Sequence, residues 1–339
     1  MKNPTIKDVA TKANVSTATV SRYLNNSSYV SKEVQQKISK VIDELDFVPN
    51  CVARSLKRTE TNTIGIVVPD LSNVSFMDTV KAISDVVTAS DYQPIILNTE
   101  ESIEKEEKIL DVLVSKRVDG IIIASAGKNE KLLKINSTKL PIVLFDRDFC
   151  NSDDDIIIDS VINDNFIGSY QMINYLISLG HKKIAILCSE NNPILKNDRL
   201  RGYIKALEHN NIAIDENYIL YGNYAFESGY ELTKKLIMQP LQPTAIFSVN
   251  NLMALGTVAA LNEMNISIPD KMSVCAFGVF KYHTILKPDL TVVNQKPSEL
   301  GRIAAELLIS RIKNPHDWKP KKVVLEADII MQNSCARPR

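Results

Sequence analysis

The sequence predicts a mixed fold: a small all-α head containing a helix-turn-helix, then a two-lobed, doubly wound α/β body. Three observations carry this. Thr5–Asn25 holds two short runs with helical spacing and a break between them. From Thr63 onward, short β-branched runs alternate with amphipathic helices in two arrays of matching size. Charge divides at the same place: the first sixty residues hold 10 Lys/Arg against 6 Asp/Glu, and the rest hold 30 against 34. A modestly basic head on a mildly acidic body fits a small DNA-binding domain attached to something else.

A chain of 339 residues is too long for one compact unit. Its 45% hydrophobic and 24% charged content is that of an ordinary soluble globular protein. The five cysteines (Cys51, Cys150, Cys188, Cys275, Cys335) are scattered and odd in number, which predicts free thiols in a reducing compartment. The N-terminus has no apolar export segment and no run reaches membrane-spanning length. The expectation is a cytoplasmic protein without a membrane partner.

In the head, Ile6, Val9, Ala10 and Ala13 follow the helical i, i+3, i+4, i+7 pattern, with Thr5 as a cap and Asp8 complementing the helix N-terminus. Asn14 interrupts the pattern. Ser16 caps a second helix carrying Ala18, Val20 and Leu24. Two such helices form a helix-turn-helix whose second member can lie in the DNA major groove. Spacing alone leaves an ordinary helical hairpin equally open. The outward residues Thr17, Ala18, Ser21 and Arg22 are short apart from one arginine, which suits close approach to base edges. Ser31 is the expected cap of a third helix, with Val34, Ile38, Val41, Ile42 and Leu45 on one face, ending before Pro49. This sets the head at 1–48.

Residues 49–62 read as a linker, polar in the second half. Val52, Ala53 and Leu56 nevertheless sit at helical spacing, so a short hinge helix that orders on DNA, with Leu56 as a minor-groove wedge, stands beside the disordered alternative.

The body occupies 63–339. IGIVV (64–68), PIIL (94–97), GIII (120–123), IVLF (142–145) and IIID (156–159) read as buried parallel strands, with helices starting near Ser75, Glu101 and Asn129. A second set follows: IAIL (184–187), AIFS (245–248) and SVCAF (273–277), with helices near 164–179, 199–210, 226–238 and 251–264. TVV (291–293), the helix around 298–312 and VVL (323–325) are expected to cross back and complete the first lobe. The lobes are thus about 63–161 plus 292–325, and about 162–291 plus 326–339. In such sheets ligands sit at the carboxyl ends of the strands, here the crevice between lobes.

An enzyme is the natural rival for this body. The first strand runs into Pro69-Asp70-Leu71 rather than a glycine-rich phosphate turn, and neither a P-loop nor a Gly-x-Ser-x-Gly elbow occurs. The four histidines (His181, His209, His283, His316) lack metal spacing, and His181, following Gly180, is expected to cap a helix end. Asp153–Asp155 reads as a solvated loop. No catalysis, cofactor or metal is expected.

The segment TATVSRYLN resembles the headpiece of the LacI/GalR family of transcriptional regulators almost residue for residue. Ala53-Arg54-Ser55-Leu56 is similar to that family's hinge segment. LVSKRVDGIII, GHKKIAIL, NNLMALG and ELGRIAAELL resemble its effector domain, which is similar to periplasmic sugar-binding proteins. The resemblance implies a homodimeric repressor on a pseudo-palindromic operator, with ligand in the crevice altering the lobes and the hinge. It implies DNA contacts from Thr5, Ser16, Thr17 and Ala18, from Thr19, Ser21, Arg22 and Asn25, and from Val52, Ala53 and Leu56. It places Ser75, Phe76, Asp146, Arg147, Arg199, Tyr224, Asn250 and Gly278 around the effector. At two places the family pattern is broken: its usual aspartate is Gly278 here, and the one beside Asn250 is Asn251. Two arginines without that acceptor predict an anionic effector, a sugar acid or sugar phosphate, over a neutral sugar, with Asp146 neutralising one arginine and the other left for the ligand. A solute-binding transport protein is disfavoured by the DNA-binding head. A catabolite-type regulator controlled by a partner protein, with a vestigial crevice, is the alternative that Gly278 keeps open.

Overall fold

The computed structural model describes residues 4–25, 29–47, 61–127, 131–132, 135, 140–148, 158–189, 197–278, 287–316 and 318–339. Val52, Ala53 and Leu56, with the rest of the expected hinge, lie outside these residues, as does the helix start expected near Asn129. The chain forms two compact units, Met1–Thr61 and Asn62–Arg339.

In the first unit, α1 (Ile6–Ala13) begins where the Thr5 backbone N–H and hydroxyl both donate to Asp8 Oδ2, at 2.7 and 2.6 Å. It ends at Asn14, which adopts the left-handed conformation at φ 53°. A short polar side chain tolerates that region. The Ser16 hydroxyl accepts from Thr19 N–H at 3.1 Å and opens α2 (Thr17–Asn25). Ser31 stands at the N-cap of α3 (Lys32–Glu44), but its hydroxyl makes no capping bond there. Val9, Val20 and Ile38 are fully buried where the three helices meet, with Ala10, Ala13, Val41 and Phe47 around them. The five apolar positions read along α3 divide: Ile38 and Val41 are buried, while Val34, Ile42 and Leu45 are partly covered at the edge.

The second unit holds two six-stranded sheets. The first contains β1 (Thr63–Val68), β2 (Gln93–Asn98), β3 (Gly120–Ile123), β4 (Ile142–Phe145), β5 (Asp159–Asn163) and β11 (Lys322–Leu325), in the order β11-β5-β4-β3-β1-β2. All its pairings are parallel, and Ile66 lies opposite Ile96 on one side and Ile122 on the other. A parallel sheet needs both faces covered. One face carries α4 (Val74–Ala89) and α10 (Pro297–Lys313), with Ile64, Ile66, Ile83 and Leu308 fully buried beneath them. On the other face lies α5 (Ile103–Ser115), which buries Leu110 and Leu113 against Ile121 and Ile123. Each such side chain contributes about 1.5–3 kcal/mol.

The second sheet contains β6 (Ile184–Ser189), β7 (Ile219–Gly222), β8 (Ala245–Ser248), β9 (Ser273–Phe277), β10 (Thr291–Asn294) and β12 (Asp328–Ile330), in the order β12-β10-β9-β8-β6-β7. Only the β10–β12 pairing is antiparallel. Its helices are α6 (Asn165–Ser178), α7 (Asp198–His209), α8 (Phe226–Ile237) and α9 (Asn251–Glu263). The crossing of α8 and α9 is close: a Cβ on Gly256 would lie 2.1 Å from the Phe226 carbonyl oxygen, and one on Gly229 would lie 2.1 Å from that of Met253. Only glycine fits at either place.

Two sequence assignments change. Thr291–Asn294 belongs to the second sheet, paired with β9 and β12, so the first lobe does not take 292–294. A short apolar run pairs equally well with either sheet, and its neighbours decide. The strand read as 156–159 overlaps the described strand only at Asp159. That charged residue starts β5 because its carboxylate accepts from the Trp318 Nε1–H at 2.7 Å and the Lys321 N–H at 2.8 Å. The chain therefore passes between the lobes three times: from β5 to α6, from β10 to α10, and from β11 to β12.

Candidate functional site

Two surfaces can carry function. On the first unit, α2 presents Thr17, Ala18 and Arg22 to solvent, with Ser16 and Thr5 exposed beside the helix starts. Thr19 and Ser21 are half-buried, and the Thr19 hydroxyl lies 2.9 Å from that of Ser16. Asn25 ends the helix. This face is short and polar with one exposed arginine, a form that can approach base edges.

In the second unit a cavity of about 430 Å³ lies between the carboxyl ends of the two sheets. That volume suits a single small molecule. Asp146 and Arg147 follow β4, and both line it. Arg147 is clamped. Its two terminal nitrogens meet the Glu101 carboxylate as a fork at 2.8 and 2.7 Å, Nη1 also donates to the Ser125 carbonyl at 3.0 Å, and Asp146 lies 3.9 Å from Nε. Burial disfavours the Arg147 charge, but Glu101 and Asp146 outweigh it and hold the pKa above the ordinary arginine value.

Arg199, at the start of α7, is held differently. Nε donates to Asn165 Oδ1 at 3.0 Å, Nη1 donates to the Val249 carbonyl, and the guanidinium carbon sits 4.3 Å from the centre of the Phe277 ring. Burial lowers its pKa, opposed by Asp146 and Tyr224 at longer range. Among the described residues all of its direct partners are neutral.

Asn250 caps α9, its Oδ1 accepting from Met253 N–H at 2.9 Å, and its Nδ2 donates to the Tyr224 carbonyl at 2.7 Å. The carboxamide thus props the Tyr224 turn as well as lining the cavity. Tyr224 and Asp146 both take left-handed backbone, at φ 67° and 63°. Such conformations cost about 1–3 kcal/mol each and gather at functional sites. Ser75 and Phe76 line the cavity from α4, Phe76 edge-on to Phe145 with ring centres 6.3 Å apart.

Family models match both units: one described as bacterial regulatory proteins of the lacI family covers residues 5–50, and one described as periplasmic binding proteins and sugar-binding domain of the LacI family covers 61–331. The chain belongs to the LacI family. Among curated relatives, the HTH-type transcriptional repressor PurR of Histophilus somni strain 129Pt is 36% identical over 310 residues, spanning 91% of this chain and 92% of that one. A LacI-family transcriptional regulator from Silicibacter pomeroyi aligns with a TM-score of 0.83 at 25% identity, covering 99% and 100% of the two chains. Another from Enterococcus faecium, solved with bound ribose, aligns at 0.71 and 28%, covering 82% and 100%. The chain is a transcriptional repressor of this family with a sugar-binding-type domain.

Within this LacI-family frame three expectations about the crevice change. Gly278 is not part of the lining. It stands behind Asn251, at φ 125°, and a Cβ there would lie 2.9 Å from Asn251 Cβ. Asn251 Nδ2 instead reaches across the lobes to Asn73 Oδ1 at 3.1 Å. Second, the acid that neutralises one arginine is chiefly Glu101, which forks onto Arg147, rather than Asp146. Third, among the described residues the lining is not rich in positive charge: six carboxylates (Asp70, Glu101, Asp146, Asp148, Asp198, Glu227) face it against two arginines. Outside the crevice, His181 does not cap its helix end. It is buried, with Nε2 at 2.8 Å from the Ala336 carbonyl and Nδ1 at 2.8 Å from the Thr244 hydroxyl, and it anchors the C-terminal segment. Among the described residues no cluster of His, Cys, Asp or Glu could hold a metal, and no helix is long and apolar enough to cross a membrane.

Sequence reasoning missed Glu101 and the asparagines 163, 165 and 197. Glu101 sits in a charge-dense helix start that resembles any solvated surface, and its partner is 46 residues away. Asn165 and Asn197 resemble helix caps, and Asn197 Oδ1 does accept from Leu200 N–H at 3.2 Å.

Proposed function

We propose that this repressor acts in the cytoplasm as a homodimer on a pseudo-palindromic operator, and that a small polyhydroxylated molecule bound between its lobes controls it. The face formed by Ser16, Thr17, Ala18 and Arg22 meets the bases, with Thr5, Thr19, Ser21 and Asn25 supporting the approach. The hinge positions Val52, Ala53 and Leu56 transmit the change in the lobes. The observation that carries the effector reading is Arg199: a buried guanidinium facing the cavity whose partners among the described residues are all neutral.

Such a group donates to a ligand hydroxyl or to one anionic oxygen. Arg147 has no such capacity while Glu101 holds it, and the surrounding carboxylates oppose a second negative charge. A sugar acid or sugar phosphate therefore fits with its single acid group at Arg199, and a neutral sugar fits the same frame. The partner-controlled alternative draws no support from this crevice, which is built with polar groups rather than filled.

Calorimetry with matched neutral and acidic sugars, and with purine bases, to which the similarity to repressors named PurR points, tests the reading. An acidic sugar should lose roughly tenfold or more in affinity on Arg199→Met and little on Arg147→Lys. Equal losses on both variants would overturn the assignment of Arg199. On the DNA side, Arg22→Ala should cost roughly 1–3 kcal/mol on operator and much less on random DNA. Equal losses on the two DNAs would make Arg22 a phosphate anchor.

A further inference from the structure

The buried side-chain atoms without a hydrogen-bond partner among the described residues gather in one place. Apart from the Ser160 hydroxyl, they belong to residues lining the crevice: Asn163, Ser75, Asn197 and Asp148. Asp148 is accounted for by an ion pair with Lys322 at 2.9 Å. Asn197 is half satisfied, since its Oδ1 caps α7, and Ser75 leaves a single hydroxyl. Asn163 is different. It is 2% exposed, it closes β5 at the crevice, and both its Oδ1 and its Nδ2 lack a partner.

A carboxamide buried with neither bond made is costly to the fold, more so than an apolar side chain of the same shape. Such a group persists where another molecule completes it. It offers one acceptor and two donors side by side in a plane, without charge. A vicinal pair of hydroxyls matches that edge: one donates to Oδ1 while the other accepts from Nδ2. A carboxylate does not, because Oδ1 would face a second bare acceptor.

We propose that Asn163 is the specificity-determining residue of the crevice, receiving two adjacent hydroxyl groups of a sugar ring through its carboxamide. The proposal rests on the small-molecule reading above and adds a polarity to it. The hydroxylated part of the ligand lies at Asn163, and any acid group lies at Arg199.

The test compares full-length wild type with Asn163→Leu by thermal unfolding and calorimetry, using D-ribose, 2-deoxy-D-ribose and hypoxanthine as probes. Removing an unsatisfied buried amide should raise the melting temperature of the unliganded protein by about 2–4 °C. D-ribose should bind roughly tenfold or more weakly to the variant, whereas 2-deoxy-D-ribose, with one hydroxyl of a pair missing, should distinguish the two proteins far less. A lower melting temperature for unliganded Asn163→Leu would make the residue structural and overturn the proposal. So would D-ribose binding that stays within twofold. If hypoxanthine binds in place of ribose and is lost in the variant, Asn163 reads a lactam edge and the diol assignment is wrong. A wild-type protein that no probe stabilises would fail the crevice reading itself, and Asn163's role with it, which is distinct from failure confined to the variant.

Discussion

The two lobes share a strand order yet treat buried cations in opposite ways. In the first, cation meets anion: Arg311 lies 3.6 Å from Asp159, with side chains 6% and 3% exposed, and Lys322 meets Asp148, and Arg147 meets Glu101 and Asp146. In the second, Arg199 rests on a carbonyl, an amide oxygen and the face of Phe277. The second lobe's described ion pairs, such as Arg201–Asp198 and Lys234–Glu263, lie at its surface. A charge closed by an opposite charge is finished as structure. A charge held by neutral groups keeps free energy in reserve for an incoming partner.

If that contrast is right, the largest effect should come from opening a first-lobe pair. Arg311→Met leaves Asp159 buried, where desolvation already raises its pKa despite the Trp318 and Lys321 bonds. The loss should be about 3–5 kcal/mol in urea unfolding. Replacing both partners with apolar residues should cost less than removing Arg311 alone.

Glu101→Gln should cost less, about 1–3 kcal/mol, because Glu101 is 38% exposed and solvent screens part of the pair. The same change frees Arg147. D-gluconate should then gain affinity relative to D-glucose in calorimetry, and no change in that ratio would mean that Arg147 does not reach the ligand.

Arg199→Met strands no carboxylate and should shift unliganded stability by under about 1.5 kcal/mol. A loss as large as that of Glu101→Gln would erase the distinction between the lobes.

The smallest effect concerns acidity. Burial lowers the His181 pKa below 6.5, so the folded chain binds a proton less readily than the unfolded one. Its contribution to stability is complete above that value and is lost as pH falls through it. Melting temperatures measured between about pH 7.5 and 5.5 should fall more steeply for wild type than for His181→Gln.

Most strands of the second unit were legible in the sequence because burial on both faces of a parallel sheet leaves continuous β-branched runs, but β7 and β12, the half-exposed edges of the second sheet, were not read. Sheet membership was not legible either. TVVN carries the same hydrophobic message in either lobe, and only its pairing with Phe277 and Ile330 neighbours fixes the choice. In the crevice, Asp146 and Arg147 could be placed because they follow a strand, and Arg199 and Tyr224 through the resemblance to the family. Their partners could not, since the Arg147–Glu101 fork and the Asn251–Asn73 bridge join residues 46 and 178 positions apart. Gly278 shows the limit from the other side. A missing side chain is visible in sequence, but the asparagine that stands in front of it is not.

The triple passage of the chain between lobes has a consequence for synthesis on the ribosome. Neither lobe is a continuous stretch. The first sheet acquires its outer strand β11 only when residues 322–325 have emerged, and α10, which covers Ile64 and Ile83, is made only shortly before. The nascent chain must therefore carry an unfinished first sheet, with β5 lacking its outer neighbour, throughout translation of the second. The head, ending near residue 47, can close long before. A growing chain thus has a folded DNA-facing unit while its regulatory unit is still incomplete, a long interval in which uncovered apolar strands depend on chaperones or on speed.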